Sequence, residues 1–249
     1  MLDRGKDLPL YRQLEEVIRG KIEKGIWSPG QLIPSEMDLI KEYGISRTTV
    51  REALGVLVAE GILQREQGRG TFVSEPKFEH PLTEATSFTY DILNKGRKPG
   101  SITLFAEEVI PSAKIASRLQ LRNPSRVVML ERIRTVDGEP VGLHSSSIVR
   151  ALVPDLELNE LRKNDISLYE ILQKRMELHL KEAVETLEAS VADERQSQLL
   201  RVAKGSPVLH IERITYLENN CPIEHVDMVY RADRYKSVVK LRVSTKELK

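Results

Sequence analysis

Residues 34–73 constrain the fold of this chain more than any other segment. Ser35 and Ser46 each precede a stretch that can form a short helix, and a glycine-rich hairpin pattern follows the second stretch. Asp38 lies three residues after Ser35, which is the spacing of a capping box, and Gly44 stands where a left-handed residue would end a helix. Two capped helices followed by a hairpin predict a winged helix-turn-helix, whose second helix enters the major groove of DNA.

The second of these helices is predicted to bury one face and to expose the other. Its apolar residues follow the spacing of a single helix face, namely Val50, Ala53, Leu54, Leu57 and Val58. Base edges are read in this motif by the N-terminal part of the second helix. The candidate DNA-contacting residues of the caps, the helix and the hairpin tip are Ser35, Ser46, Arg47, Thr48, Thr49, Arg51, Gly68, Arg69 and Gly70.

Charge and composition restrict the class of protein. Residues 1–73 hold eleven Lys and Arg and eleven Asp and Glu, and the whole chain has a net charge of +1. A neutral segment gains little from phosphate attraction, so DNA affinity should depend on base contacts and on dimerisation. The single cysteine, Cys221, argues against a disulfide framework and a multi-thiolate zinc site. Without a long apolar run or a signal peptide, the sequence predicts a cytoplasmic protein with no membrane span, no metal and no cofactor.

The rest of the chain has a different pattern. Residues 1–74 are predicted to form the winged helix-turn-helix, residues 75–85 a linker that contains two prolines, and residues 86–249 a second domain. Strand-like runs occur at 101–110, 127–136, 141–149, 184–191, 208–217 and 223–230. Hairpin turn signals lie at Asp137-Gly138 and Asn219-Asn220. Strands joined mainly by hairpins predict an antiparallel sheet with helices on one side, an α+β fold.

Several local motifs carry a family resemblance. In the first part they are Pro9-Leu10-Tyr11, Leu32-Ile33-Pro34-Ser35-Glu36, Ser46-Arg47-Thr48-Thr49-Val50-Arg51 and Gly68-Arg69-Gly70-Thr71-Phe72-Val73. In the second part they are Thr86-Ser87-Phe88, Arg132-x-Arg134, Glu139-Pro140, Ser167-x-Tyr169 and Tyr230-Arg231-x-Asp233-Arg234-Tyr235. Residues 9–73 thus resemble the winged helix-turn-helix of GntR-type bacterial transcription regulators. Residues 78–245 resemble the UTRA effector-binding domain of the HutC-type branch, whose fold is similar to that of chorismate lyase.

The resemblance implies a homodimer that binds a palindromic DNA operator, most often as a repressor, and is released or repositioned by a small metabolite. In such regulators two arginines contact guanines and a wing glycine approaches the minor groove, which are Arg47, Arg51 and Gly68 here. The narrower likeness is to repressors of amino-sugar use, which implies a phosphorylated sugar as the effector. Met37 departs from the family pattern, because relatives usually carry arginine after the Pro-Ser-Glu triplet.

An effector site is predicted where polar residues interrupt the strand alternation. Arg132 and Arg134 lie two apart on one strand and therefore project to the same face. Two helices are predicted to start at serines, and the free backbone N–H groups of these helix N-termini could join the arginines in an anion site. The candidate effector-binding residues are Ser87, Phe88, Thr89, Arg132, Arg134, His144, Ser167, Tyr169, Glu224 and Tyr230. His144 stands where relatives commonly carry glutamate, so a carboxylate or an amine metabolite is an alternative to a phosphorylated sugar.

Other interpretations of the same residues remain open at this stage. The helix arginines could be solvated surface paired with Glu36 or Glu42, and the strand arginines could pair with glutamates on a neighbouring strand. A likeness to chorismate lyase leaves an enzyme as an alternative function, although no nucleophile elbow, metal-ligand spacing or phosphate loop supports one. An architectural DNA-binding protein that has no effector is the third possibility.

Overall fold

The computed structural model describes residues 2–5, 7–66, 68–75, 77–81, 86–122, 124–163 and 167–241. The chain forms two compact units, Met1–Lys77 and Phe78–Lys249. Among the described residues, every helix is too short or too polar to cross a lipid bilayer.

The first unit contains three helices and a hairpin, as predicted. The helices are α1 (Leu10–Glu23), α2 (Glu36–Tyr43) and α3 (Arg47–Ala59), and the antiparallel hairpin consists of β1 (Leu63–Glu66) and β2 (Gly70–Val73). Its core contains the predicted apolar face of α3, of which Val50, Ala53, Leu54 and Leu57 are buried and Val58 is partly buried. The order helix, capped helix, capped helix and hairpin is that of a winged helix-turn-helix.

Both predicted serine caps are present. The Ser35 hydroxyl accepts a hydrogen bond from the Asp38 N–H at 3.2 Å, and the Asp38 carboxylate accepts one from the Ser35 N–H at 3.2 Å. This reciprocal pair is a capping box, and Gly44 ends α2 in the left-handed conformation. The Ser46 hydroxyl accepts from the Thr49 N–H at 3.1 Å and so fixes the first residue of α3.

The second unit is built on a six-stranded antiparallel sheet with the strand order β4-β5-β6-β9-β8-β7. The strands are β4 (Pro99–Val109), β5 (Val127–Val136), β6 (Glu139–Val149), β7 (Leu180–Val191), β8 (Pro207–Leu217) and β9 (Pro222–Arg231). All six predicted strands are found, and the hairpin turns lie at the predicted Asp-Gly and Asn-Asn pairs. Asp137 and Asn220 adopt the positive φ that such turns require. The fold is therefore α+β, as predicted.

Short helices cover both faces of this sheet, so the prediction of helices on one side is wrong. They are α4 (Phe88–Leu93), α5 (Ala113–Arg118), α6 (Leu158–Leu161), α7 (Leu168–Glu170), which continues as a π-helical turn Ile171–Arg175, and α8 (Glu194–Leu200). α6 and α7 pack against Leu130 and Ile148 on one face. α8 packs against Leu143 and Val229, which point to the opposite face. Apolar residues at alternate positions on both faces of β5, β6 and β9 explain this arrangement.

The segment 75–85, which was predicted to be a linker, contains a strand. β3 (Phe78–Pro81) pairs in parallel with β10 (Tyr235–Val238), and the Phe78 N–H donates to the Arg234 carbonyl at 2.7 Å. The second unit thus begins at Phe78, earlier than predicted. The partners are about 150 residues apart in the chain, so no local period reveals this strand. Predicted linker residues 76 and 82–85 lie outside the described part of the chain.

Candidate DNA-binding surface and ligand cavity

The exposed start of α3 carries the predicted DNA-contacting residues. The Ser46 and Thr49 hydroxyl oxygens are 2.8 Å apart and belong to the cap of the helix. The adjacent Thr48 is exposed, and Arg47 and Arg51 have exposed side-chain fractions of 71% and 60%. These side chains can therefore reach a ligand in solution without any rearrangement of the core.

Three arginines of the first unit surround one carboxylate. Glu36, the first residue of α2, lies 3.6 Å from Arg47 Nε, 3.8 Å from Arg51 Nε and 3.5 Å from Arg65 Nη2. The alternative that the helix arginines pair with a nearby glutamate is therefore present in the structure, at Glu36. It does not remove them from the surface, because both side chains remain mostly exposed.

The hairpin tip contributes two glycines and an arginine. Gly68 adopts a φ of +74°, and a Cβ atom at this position would meet no heavy atom within 4 Å. Gly70 has a φ of +123°, and its Cβ would lie 2.6 Å from the Leu32 side chain, so this glycine also serves packing inside the unit. Arg69 forms an ion pair with Glu66 and lies over the Phe72 ring at 5.4 Å. Met37 is exposed on α2.

In the second unit, the ten predicted effector-binding residues come together around one inner cavity of about 50 Å³. They are Ser87, Phe88, Thr89, Arg132, Arg134, His144, Ser167, Tyr169, Glu224 and Tyr230. A larger cleft of about 1020 Å³ shares several lining residues with this cavity, including Ser87, Thr89, Ser167 and Tyr169. Ser87 and Ser167 use their hydroxyls as N-caps of α4 and α7, as predicted.

The register of the sheet explains why these residues meet. Arg132 on β5 is paired with His144 on β6, which is paired with Met228 on β9. Two residues further along the same face, Arg134 is paired with Gly142, which is paired with Tyr230. Residues two apart on a strand share a face. The polar side chains of β5, β6 and β9 therefore form the floor of the cavity, and α4 and α7 contribute its walls.

Arg134 anchors one end of the cavity. Its guanidinium donates to the Ser101 hydroxyl at 2.6 Å and to the Thr89 hydroxyl at 3.1 Å, and it lies over the Phe88 ring at 4.4 Å. Arg132 is also buried. Burial lowers the pKa of Arg132 to about 10, against the opposing effect of the Glu224 carboxylate. The Arg132 guanidinium is thus cationic at neutral pH although it is buried.

His144 and Tyr230 form a neutral pair in the floor. His144 Nε2 lies 2.7 Å from the Tyr230 hydroxyl, and the Phe88 ring meets the imidazole edge-on at 5.9 Å. Burial, together with Arg134, Arg132 and Arg213, lowers the pKa of His144 well below its usual range. Burial also raises the pKa of Tyr230. The pair therefore offers a neutral donor and a neutral acceptor, where a glutamate would bring a negative charge.

The opposite end of the cavity carries the buried Glu224. The Thr215 hydroxyl donates to this carboxylate at 3.4 Å and lies 2.9 Å from the Tyr169 hydroxyl. Burial raises the pKa of Tyr169 to about 12, and Glu224 acts in the same direction. Tyr169 therefore keeps its proton, and Glu224 provides an acceptor for a ligand hydroxyl or amine. Along the strands the cavity is thus bipolar, with Arg134 at one end and the Glu224 carboxylate at the other, although a further guanidinium, that of Arg213, lies beside Tyr169.

Sequence reasoning missed eight residues that line the cavity: the polar His80, Thr86, Asp91, Ser146 and Arg213 and the apolar Leu168, Val226 and Met228. Arg213 donates to Glu185 at 2.5 Å and to the Tyr169 hydroxyl at 3.4 Å. Burial opposes the positive charge of Arg213, but Tyr169 and Glu185 outweigh it and raise its pKa. Its two-residue spacing from Thr215 on β8 was a usable signal, of the same kind that identified the β5 arginines. His80 Nδ1 lies 2.8 Å from an Asp91 oxygen.

Substitution of Gly142 by alanine is expected to destabilise this unit. A Cβ atom at this position would lie 2.7 Å from Tyr230 Cδ1 and 3.3 Å from the Val229 carbonyl oxygen. Tyr230 cannot easily move, because it stacks on Tyr235 with ring centroids 3.9 Å apart. Overpacking of this kind costs about 1–3 kcal/mol, which urea unfolding would measure. Gly138→Ala is the less suitable comparison because its φ is positive, so Gly20→Ala, where a Cβ atom would meet no heavy atom within 4 Å, serves as the control. Unchanged stability of Gly142→Ala would show that the ring stack can yield.

The fold and these two sites define a class of protein. A winged helix-turn-helix with exposed arginines at its second capped helix, followed by a domain built around a bipolar cavity, is a DNA-binding transcription regulator with an effector domain. The chain belongs to the gntR family of bacterial regulatory proteins, whose model matches residues 10–73, and it carries a UTRA domain, whose model matches residues 94–236. The predicted resemblance is thereby confirmed.

Individual relatives agree with this assignment. The chain is 36% identical to the "HTH-type transcriptional repressor NagR" of Bacillus subtilis, over 95% of this chain and 96% of that protein. It is 31% identical to the "Probable fructoselysine utilization operon transcriptional repressor" of Escherichia coli O157:H7, over 93% and 94%. The crystal structure of PhnF from Mycobacterium smegmatis superposes with a TM-score of 0.64 at 26% identity, covering 94% of this chain and 99% of that one. The two sequence relatives are named as transcriptional repressors rather than enzymes, so the protein is a transcriptional repressor of this type.

Proposed function

We propose that this repressor binds a palindromic operator as a homodimer in the cytoplasm and is released by a small phosphorylated sugar. The observation that carries the effector part of the proposal is the bipolar cavity. Arg132 and Arg134 lie on one strand in the floor of the cavity, the Thr89 hydroxyl of α4 contacts Arg134, and Glu224 lies at the other end. Planar guanidiniums bind phosphate oxygens in a bidentate manner, which suits the phosphate group.

The remainder of the cavity suits the hydroxyl-rich part of a sugar. Glu224, Thr215 and Tyr169 form a linked acceptor and hydroxyl group, and His144 with Tyr230 adds a neutral donor and acceptor. The inner cavity of about 50 Å³ holds only a small group, whereas the adjoining cleft of about 1020 Å³ is large enough for a whole metabolite. A ligand with a compact anionic end and a larger polar body fits this shape. The relative named for fructoselysine utilisation also supports a sugar-derived ligand.

The route from the cavity to the DNA-binding unit would pass through β3. This strand starts directly after the first unit, and its His80 contacts Asp91 of α4, the helix that also contributes Phe88 and Thr89 to the cavity. A ligand that shifts α4 therefore acts on the segment that leads to the DNA-binding unit. In a homodimer, such a shift would separate two recognition helices that otherwise match half-sites about 34 Å apart. Coupling of this kind typically changes affinity by roughly 5- to 150-fold.

A ligand panel tests the proposal on the full chain. Inorganic phosphate, glucose 6-phosphate and glucosamine 6-phosphate would be compared by thermal unfolding with unphosphorylated glucose, with the amine glucosamine and with the carboxylate citrate. A matching ligand present at about 100 times its Kd stabilises a protein by about 2.7 kcal/mol, which corresponds to roughly 5–10 °C for a chain of this size. Stabilisation by carboxylates or amines, with none from any phosphate ester, would overturn the phosphorylated-sugar proposal and favour the alternative effector class. No stabilisation across the panel would favour a DNA-binding protein without an effector.

A further inference from the structure

One carboxylate lies at the point where the arginines of the DNA-binding surface converge. Glu36 comes from α2, Arg47 and Arg51 come from the first two turns of α3, and Arg65 comes from β1 of the wing. Its oxygen Oε2 is 3.6 Å from Arg47 Nε, and its oxygen Oε1 is 3.8 Å from Arg51 Nε and 3.5 Å from Arg65 Nη2. Elements that are separate in the sequence thus share a single negative group.

This arrangement is poorly suited to stabilising the fold. The arginine side chains are exposed by 71%, 60% and 42%, and exposed ion pairs contribute little to the free energy of unfolding. The separations of 3.5–3.8 Å are also longer than direct hydrogen bonds. A carboxylate on a surface that meets DNA phosphates is moreover unfavourable for affinity. Apart from the favourable place of an acidic residue in the first turn of α2, its position among the arginines therefore needs an explanation other than stability or attraction.

The orientation of the two helix arginines supplies one. In both residues the Nε atom is the one nearest to Glu36. A guanidinium carries five N–H donors in a rigid fork, so a partner at Nε leaves the two terminal nitrogens for other acceptors. Those two nitrogens match O6 and N7 of a guanine. Glu36 thus lies on the Nε side of each guanidinium and leaves the terminal nitrogens for another acceptor.

We propose that Glu36 is a positioning residue that sets the DNA sequence specificity of this regulator. It orients Arg47 and Arg51 for base contacts, and it offsets part of the positive charge that would otherwise attract any DNA. Residues 1–73 have equal numbers of acidic and basic side chains, so this local balance matters more than bulk charge. The effect is on the ratio of specific to non-specific affinity, which is the quantity that selects a site in a genome.

Three variants separate orientation from charge. Glu36→Gln keeps the shape and removes the charge, whereas Glu36→Asp keeps the charge but shortens the side chain by one methylene group. Glu16→Gln removes the same charge from the exposed side of α1 and is the matched control. Thermal unfolding and circular dichroism would verify that each variant folds, because Glu36 also lies in the first turn of α2, where an acidic residue is favourable.

The measurement is a selection of duplexes from a random pool by the wild-type full-length chain, followed by titration of every variant against the selected duplex and a shuffled duplex. We expect Glu36→Gln to bind the shuffled duplex more tightly and to lower the specificity ratio roughly tenfold or more. Glu36→Asp should lower affinity for the selected duplex while leaving affinity for the shuffled duplex unchanged. Glu16→Gln should leave the ratio unchanged.

Other outcomes would overturn the assignment. Equal changes on both duplexes in Glu36→Gln and Glu16→Gln would show that the carboxylate acts only through net charge. An unchanged ratio in both Glu36 variants would show that it does not position the arginines. A wild-type chain that enriches no sequence would remove the specificity that Glu36 is proposed to set. The effector assignment would survive all of these results, because it depends on the second unit alone.

Discussion

Replacement of Arg47 or Arg51 by alanine is expected to abolish sequence-specific DNA binding and to leave the fold intact. Both side chains are mostly exposed at the start of α3, so their loss leaves no cavity in the core. A bidentate arginine–guanine pair contributes about 1–3 kcal/mol of discrimination. In a homodimer each substitution removes two such pairs, so affinity for the selected duplex should fall by at least about 30-fold. Fluorescence anisotropy on selected and shuffled duplexes would measure this loss.

Arg69→Ala serves as the comparison variant for a contact to DNA phosphates rather than to bases. Arg69 lies at the wing tip, is paired with Glu66 and covers Phe72, so we expect it to contact the phosphate backbone rather than bases. Its loss should weaken binding about equally on both duplexes. The slope of log affinity against log salt concentration should become shallower by about one unit per protomer. If Arg47→Ala and Arg51→Ala behave in the same way as Arg69→Ala, the helix arginines act on phosphates and the assignment of base contacts is wrong.

The DNA-binding unit could be predicted from the sequence because its determinants are local. Ser35 and Ser46 cap helices within three residues of their own position, and the apolar face of α3 repeats with the period of a helix. Such signals do not depend on the rest of the fold. The sequence also suggested Glu36 as a partner of the arginines, but their convergence on one carboxylate required the relative positions of α2, α3 and β1.

The cavity was predictable to the extent that strand alternation places side chains on one face. That rule found Arg132 and Arg134, and the register then brought His144 and Tyr230 beside them. It could not find His80, because β3 pairs with β10 only across the length of the chain. A parallel pair of four-residue strands has neither a hairpin turn nor a period to reveal it. The sequence also did not reveal that helices cover both faces of the sheet. When strands are buried on both faces, their side chains do not show which face each connecting helix will cover.

Substitutions at the two ends of the cavity should change ligand binding in opposite directions. Arg132→Gln removes a buried cation, so we expect affinity for inorganic phosphate and for sugar phosphates to fall by at least about tenfold, since hydrogen bonds to charged groups contribute about 1.5–3 kcal/mol. Glu224→Gln removes a buried negative charge that repels phosphate, so the affinity for inorganic phosphate should rise. The same variant should weaken a sugar phosphate, because the acceptor for a sugar hydroxyl is weaker. Isothermal titration calorimetry with both ligands would measure the two effects.

The double variant Arg132→Gln/Glu224→Gln controls for the energetics of folding. A single substitution removes one of two opposite buried charges, and because the Glu224 carboxylate raises the pKa of Arg132, each single variant loses a favourable electrostatic interaction. The double variant removes both charges and should regain stability while still failing to bind inorganic phosphate. All three variants should retain affinity for the selected duplex, since the first unit is unchanged. Because Arg132→Gln binds the ligand more weakly, this variant should remain on DNA at ligand concentrations that release the wild type. A Glu224→Gln variant that loses inorganic phosphate as fully as Arg132→Gln would mean that the cavity does not separate an anion end from a hydroxyl end.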